Sequence, residues 1–400
     1  MTSKAGAQRN LALYPLYITG VGTYAWLPIF FLYLSDRVSI PEVLALEAIY
    51  YTTVVALELP SGYFSDRVGR RATLIIAALA LVASYGLFAI GQSFEMLALA
   101  QGLLAVGLAF NSGTDTSFHL ANLKVDERAE QYIEREARLG TLAAVVGAVA
   151  ALAGGALGMW DLRLAYLLSG IGALVALLTA LGFAPIDRDK SAIPEHFGDT
   201  LKRCFKLLRG RVLGWVFAVS VVSTILTHVP YEFYQPYLEE LPQTHWPKDS
   251  TPLVAGIHAA LVKVLEAPAA RYSARLSKRL GLTRHLMLSV TLQVILIAAM
   301  TAFLHPAIAI LLLARSVPYA LQEAPIRAAV APRVAPRIRA TYLSMQSLAG
   351  RLGFALLLIL LANAADERLS VSLNISAVVA VTLLIILGMM ALLQKPDDAS

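Results

Sequence analysis

Residues 62–71 read Gly62-Tyr63-Phe64-Ser65-Asp66-Arg67-Val68-Gly69-Arg70-Arg71, with long apolar runs on both sides. Three arginines and one aspartate in so short a stretch leave no room for a domain between those runs. Such a stretch suits a tight cytoplasmic hairpin joining two membrane-spanning helices.

Composition agrees. Of 400 residues, 58% are hydrophobic and 15% are charged, and the mean hydropathy is +0.65. Soluble domains carry about 25% charged residues. A chain this apolar cannot bury its surface in one aqueous core, so lipid must solvate much of it. Crossing a ~30 Å hydrocarbon layer takes roughly 20 residues. Twelve runs qualify, at 11–34, 43–64, 72–91, 95–118, 139–159, 164–184, 212–237, 252–274, 285–304, 307–328, 340–363 and 371–393. The first, preceded by Lys4 and Arg9, is too long for a signal-peptide core and lacks a clear cleavage site, so it is read as a spanning helix. The expected fold class is an all-α membrane protein.

With the N-terminus inside, the inner segments hold 24 Lys and Arg, and the outer loops hold four: Arg37, Arg163, Lys248 and Arg368. The positive-inside rule then places both termini in the cytoplasm and the chain in the cytoplasmic, or inner, membrane. The same bias accounts for a net charge of +6 without a nucleic-acid partner. The single cysteine, Cys204, excludes an internal disulfide and offers no metal-binding pair. No metal or cofactor is expected.

The longest inner connection, 185–211, separates a bundle of six helices at 1–184 from another at 212–400. Within it, Phe197, Leu201, Cys204, Phe205 and Leu208 recur at helical spacing opposite Lys202, Arg203, Lys206 and Arg209. That pattern predicts an amphipathic helix on the inner membrane surface. The halves also echo each other. Glu58-Leu59-Pro60-Ser61-Gly62 recurs 208 residues later as Glu266-Ala267-Pro268-Ala269-Ala270, each followed by a basic connection.

The pattern Gly62-x-x-x-Asp66-Arg67-x-Gly69-Arg70-Arg71, after Glu58-Leu59-Pro60-Ser61, resembles motif A of the major facilitator superfamily of transporters. The resemblance implies twelve transmembrane helices in two six-helix bundles related by pseudo-symmetry. It also implies a solute site between the halves, reached by alternating access, and a cytoplasmic latch made by Asp66, Arg70 and Arg71. Internal repeats are a known property of this superfamily, so the Glu-x-Pro echo supports the resemblance without adding an independent inference.

No Walker-type phosphate loop, His-Glu-x-x-His or Gly-x-Ser-x-Gly occurs, and no nucleophile with a base partner emerges, so an enzyme is not expected. Ionisable residues inside spans cost at least ~2.5 kcal/mol each and are functional candidates by default. Glu58, Asp115, Glu232 and Glu323 are the proton-coupling candidates, with Glu323 first and Glu232 second. Glu58 and Arg351 lie at similar depth in helices that are neighbours in the superfamily, which makes them an ion-pair candidate, either structural or functional. Asp115, near the inner end of its span, is also a candidate member of the latch. His228 and Glu232, four apart around Pro230, share a helix face beside Tyr231. Lys263 and Arg315 are mid-depth cations whose counter-charges are either Glu266 and Glu323 or an anionic substrate. Tyr24, Trp26, Asn111 and Gln346 complete the substrate-binding candidates, while packing and interfacial anchoring account for most membrane Tyr and Trp.

Two departures mark the limit of the resemblance. Drug:proton antiporters of the superfamily carry an Arg-x-x-Gln-Gly pattern in helix 4, where this chain has Gln101, and a Gly-Pro-x-x-Gly-Gly stretch in helix 5. Here the latter reads Ala151-Leu152-Ala153-Gly154-Gly155-Ala156. The leading expectation is a monomeric secondary transporter that exports a small organic solute in exchange for protons. The alternatives are an uptake carrier or facilitator for an anionic metabolite, suggested by Lys263 and Arg315, and a lipid flippase or ligand sensor that keeps the transporter fold.

Overall fold

The computed structural model describes residues 4–185, 197–241, 248–364 and 368–392, and among them every regular element is helical. The first expected span is divided between α1 (Lys4–Val21) and α2 (Phe30–Ser35). The next five are α3 (Ile40–Val68), α4 (Arg70–Ile90), the pair α5 (Phe94–Asn111) and α6 (Thr114–Val125), α7 (Tyr132–Gly158) and α8 (Arg163–Gly182). After α9 (Phe197–Leu207) come α10 (Arg211–Glu240), α11 (Thr251–Leu280) and α12 (Leu282–Ala302). The last three are the pair α13 (Pro306–Leu311) and α14 (Val317–Val330), then α15 (Pro336–Ala364) and α16 (Leu369–Leu392). Among the described residues ten spans are long and apolar enough to cross a membrane, and an eleventh, α11, is bent by 53° between Glu266 and Arg271. Pro268 sits at that bend, where it removes a backbone donor.

Local chemistry sets the helix ends. Ser39 and Glu42 form a capping box at the start of α3: the Ser39 amide donates to Glu42 Oε2 at 2.9 Å, with Pro41 already inside the first turn. At the other end of α3 the charged decapeptide makes a turn tighter than a loop: α3 runs on as helix to Val68, and Gly69 alone joins it to α4. The Gly69 amide donates to Ser65 O, Arg67 in the final turn complements the helix dipole, and its guanidinium lies 4.9 Å from the Tyr63 ring centre. Gly69 has φ +116°, and Gly281 between α11 and α12 has φ +76°. Each of these two basic connections is therefore a single residue in a conformation that only glycine adopts readily.

The described chain divides into two compact units, Met1–Ala192 with Asp249–Ala260, and Ile193–Lys248 with Leu261–Ser400. The first unit thus includes the opening turns of α11. Gly155 and Gly256 account for this: a Cβ on Gly155 would meet Pro252 O at 2.6 Å and Gly256 Cα at 3.0 Å. Its neighbour Gly154 is tighter still, since a Cβ there would sit 1.9 Å from Ala25 O. The Gly154-Gly155 pair is therefore explained by two backbone approaches on one helix.

An aromatic cluster of Trp26, Phe30, Tyr33, Phe88 and Tyr166 fills the first unit, with Trp26 Nε1 donating to Tyr85 Oη at 3.0 Å. Asn10, fully buried on α1, donates to Asn122 Oδ1 and to Ala184 O and accepts from the Ala184 amide. In the second unit Trp215 Nε1 reaches Leu387 O at 3.2 Å, and the Tyr342 hydroxyl reaches Leu213 O at 2.8 Å. Cys204 of α9 is buried against α15, 4.0 Å from Ile338 O, while Phe205 is exposed. Large apolar side chains such as Ile171, Leu178, Val378 and Ile385 point outward, an arrangement that lipid tolerates and water penalises.

Candidate functional site

In the first unit the fourth span breaks between α5 and α6, where Gly113 adopts a left-handed φ of +71°. The break frees backbone donors at the start of α6, and Asp115 occupies that end, accepting from the Thr116 amide at 2.7 Å. Asn111, at the close of α5, donates to Asp115 Oδ2 at 3.4 Å and accepts from the Tyr17 hydroxyl at 2.8 Å. A chain of polar contacts therefore runs from α1 to the carboxyl of Asp115. One turn further along α6, His119 stacks on Tyr14 with ring centres 4.7 Å apart and bonds Glu136 of α7. Tyr14, His119, Glu134, Arg135 and Arg138 face a cavity of about 500 Å³.

A second carboxyl lies deeper in the helical packing of that unit. Glu47 of α3 is 5% exposed and accepts a 2.6 Å hydrogen bond from Gln101 Nε2 of α5, itself 3% exposed. Sequence reading singles out Glu58 of the same span and passes over Glu47. The signal for Glu47 is an acidic residue in an apolar run, but its partner lies 54 residues away and only tertiary packing joins them.

In the second unit a cavity of about 240 Å³ is lined by α10, α14 and α15. Ser220, Ser223, Thr224, Tyr319, Gln322 and Gln346 supply its polar surface. Gln322 and Gln346 are 1% and 2% exposed, yet Gln322 Oε1 and Nε2 and Gln346 Nε2 have no hydrogen-bond partner among the described residues. At the rim Glu323 and Arg327, both more than half exposed, pair at 2.5 Å one turn apart.

The other candidates fall elsewhere. His228 Nδ1 meets Thr224 O at 2.6 Å and its ring packs on Phe354, while Glu232, fully buried, lies one turn on with Tyr231 between. Lys263 pairs with Glu266 at 2.8 Å. Arg315 is 5% exposed with its guanidinium 4.2 Å from the Tyr234 ring centre. Trp26 is a core residue, and Tyr24 is half-buried. Glu58 and Arg351 belong to different units. Among the latch residues, Arg71 donates to Leu181 O at 2.9 Å, whereas the Asp66 side chain lies outside those described. No cluster able to hold a metal ion occurs among the described residues.

Residues 15–358 match the model of the Major Facilitator Superfamily. The chain belongs to the major facilitator superfamily. Solved structures of transporters share its fold. The nucleoside transporter NupG superposes with a TM-score of 0.75 at 14% identity, over 98% of this chain and 100% of that one. A POT peptide transporter in complex with sulfate gives 0.75 at 13% identity, over 98% and 95%. A bacterial homologue of the human lysosomal transporter Spinster, inward-facing and occupied, gives 0.68 at 15% identity, over 98% and 97%. At such identities the likeness is one of fold alone.

As a member of the superfamily, the protein is a multi-pass membrane transporter of small molecules and not an enzyme. The residues that sequence reading misses, Glu47, His119 and Gln322, share one property. Each acquires its significance from a residue on another helix.

Proposed function

We propose that this superfamily member is a proton-coupled exporter of a small, neutral organic solute, working by alternating access as a monomer in the cytoplasmic membrane with both termini inside. The observation that carries the proton is the buried pair Glu47–Gln101. Gln101 gives the carboxyl a hydrogen bond but no charge. An ionised group in a span is costly unless a counter-charge balances it, so a carboxyl held by a neutral amide is suited to load and release a proton as solvent access alternates. Asp115 is the second proton candidate, because Asn111 and Tyr17 link it to α1 through hydrogen bonds. Glu323 ranks below both, since Arg327 already matches its charge. Glu58 and Glu232 remain candidates, as does the Glu58–Arg351 pair.

A neutral cargo is preferred over an anionic one because Lys263 is matched by Glu266 and Arg315 lies over Tyr234. Export, and kinship with the drug:proton branch, are carried over from the leading sequence expectation; motif A itself supports the fold and bears hardly at all on direction.

The test is transport in proteoliposomes with uridine, nicotinamide, alanylalanine and ethidium as probes. Liposomes made acidic inside accumulate a transported probe if the protein exchanges it for protons, and Glu47→Gln abolishes uphill accumulation while leaving downhill exchange. Accumulation only with the outside acidic, or coupling intact in Glu47→Gln, would overturn the reading.

A further inference from the structure

We propose that the cavity between α10, α14 and α15 recognises a neutral solute through a cis-amide edge: a primary carboxamide, a lactam or a nucleobase-type ring presenting N–H and C=O side by side. This deepens the transporter reading and rests on it.

The argument begins with an imbalance. A buried polar group without a partner costs ~1–3 kcal/mol, and folded proteins keep few of them. Here three atoms without a partner among the described residues, Gln322 Oε1, Gln322 Nε2 and Gln346 Nε2, come from two glutamines that line one cavity. Nearby, Thr224 Oγ1 is engaged with Ser220 O and Ser223 Oγ with Gln293 Oε1, so those hydroxyl protons are already committed. What the cavity lacks is a ligand with both donors and acceptors.

Geometry narrows the ligand. A planar glutamine amide makes two parallel hydrogen bonds only to a partner whose donor and acceptor share an edge, as glutamine does with an adenine base. A trans peptide bond directs its N–H and C=O to opposite sides and offers one at a time. Volume narrows it further. At about 240 Å³ the cavity is smaller than the ~300–1,000 Å³ pockets that enclose drug-sized ligands, so it takes a single ring or a carboxamide head. Charge completes the description. The ions at the rim, Glu323 and Arg327, cancel each other, and the remaining polar lining is hydroxyl and amide. Nothing in this pocket balances a net charge on the recognised group.

The experiment is thermal unfolding of the full-length purified protein with graded nicotinamide and uridine. N,N-diethylnicotinamide, 3-methyluridine and alanylalanine serve as controls. Binding to the folded state raises the melting temperature, and the rise grows with the logarithm of ligand concentration above the dissociation constant. At least one of the two amide probes should raise it, and its alkylated analogue and the dipeptide should not. Gln322→Leu and Gln346→Leu should each weaken the apparent affinity by ~10-fold or more, the loss expected when a paired donor or acceptor disappears. Gln322→Glu retains shape and removes the donor, so it reports the same loss should the leucine variants fail to fold. No stabilisation by either probe, or equal stabilisation by the alkylated analogues, would assign the cavity to water instead. Persistence of the shift in the glutamine variants would do the same. Proton-coupled flux of ethidium, a permanent cation, without any response to the amide probes removes both this pocket assignment and the neutral cargo, and leaves proton-coupled transport in place.

Discussion

The carboxyl of Glu47 accepts a 2.6 Å hydrogen bond from the amide of Gln101, and both side chains are almost completely buried between α3 and α5. Exchanging the amide for a cation separates its two roles. Gln101→Arg should hold Glu47 as a permanent ion pair and abolish proton coupling in the proteoliposome assay with the fold retained. Gln101→Leu should instead leave the carboxyl without its donor and lower stability by ~1–3 kcal/mol in thermal unfolding. Equal coupling in Gln101→Arg and the parent protein would exclude Glu47 as the proton carrier.

The two glycines that frame the charged decapeptide differ in what they require. Gly69 has φ +116° with open space around it, so alanine there carries backbone strain of ~1–3 kcal/mol and no clash. Gly62 is an exposed residue within α3, also with open space, and alanine should favour the helix by ~0.5–1 kcal/mol. Unfolding midpoints of Gly69→Ala and Gly62→Ala should therefore move in opposite directions. If Gly62→Ala folds well but transports poorly, the glycine at this position of the motif serves movement rather than folding.

Most of the fold is legible in the sequence because lipid imposes a one-dimensional rule: runs of about 20 apolar residues separated by charge. The Gly62–Arg71 stretch adds the superfamily through residue types at fixed spacing. What escapes is whatever depends on a partner across helices. Glu47 looks like one acid among several until Gln101 is placed beside it, and Gln322 looks like an ordinary polar residue until its amide is found buried, without a partner among the described residues, in the cavity it shares with Gln346. Helix breaks escape for a related reason. Asn111-Ser112-Gly113 interrupts the fourth span without a proline, and the left-handed Gly113 that frees the start of α6 for Asp115 leaves only a weak trace in a hydropathy profile.

Asn10 should be among the most sensitive structural positions in the first unit. Its amide joins three elements: the start of α1, Asn122 on α6 and the backbone of Ala184 beyond α8. Asn10→Leu fills the space but leaves the Ala184 amide and carbonyl without this partner, at a cost of at least ~2 kcal/mol. Denaturant unfolding in detergent measures this, and a change below ~0.5 kcal/mol would mean that water replaces the side chain.

Asp126, just past the C-terminal end of α6, gives the first unit an acid-sensitive clasp. Burial pushes its carboxyl pKa upward, but hydrogen bonds from Gln8 and Arg128 outweigh that and hold it below the ordinary value. A depressed folded-state value means the carboxylate contributes stability above the unfolded pKa of about 3.9 and loses it as pH falls through the lower folded value. The melting temperature should therefore decline below about pH 4 as the contacts of Asp126 to Arg128 and to Gln8 of the N-terminal segment weaken. Asp126→Asn keeps the acceptor oxygen for Gln8 but removes the charge, so it should start from a lower plateau near neutral pH and show a shallower acid decline. An acid limb of the same steepness in Asp126→Asn would assign the sensitivity to other carboxylates, of which Asp161, held low by Arg163, is the first to examine.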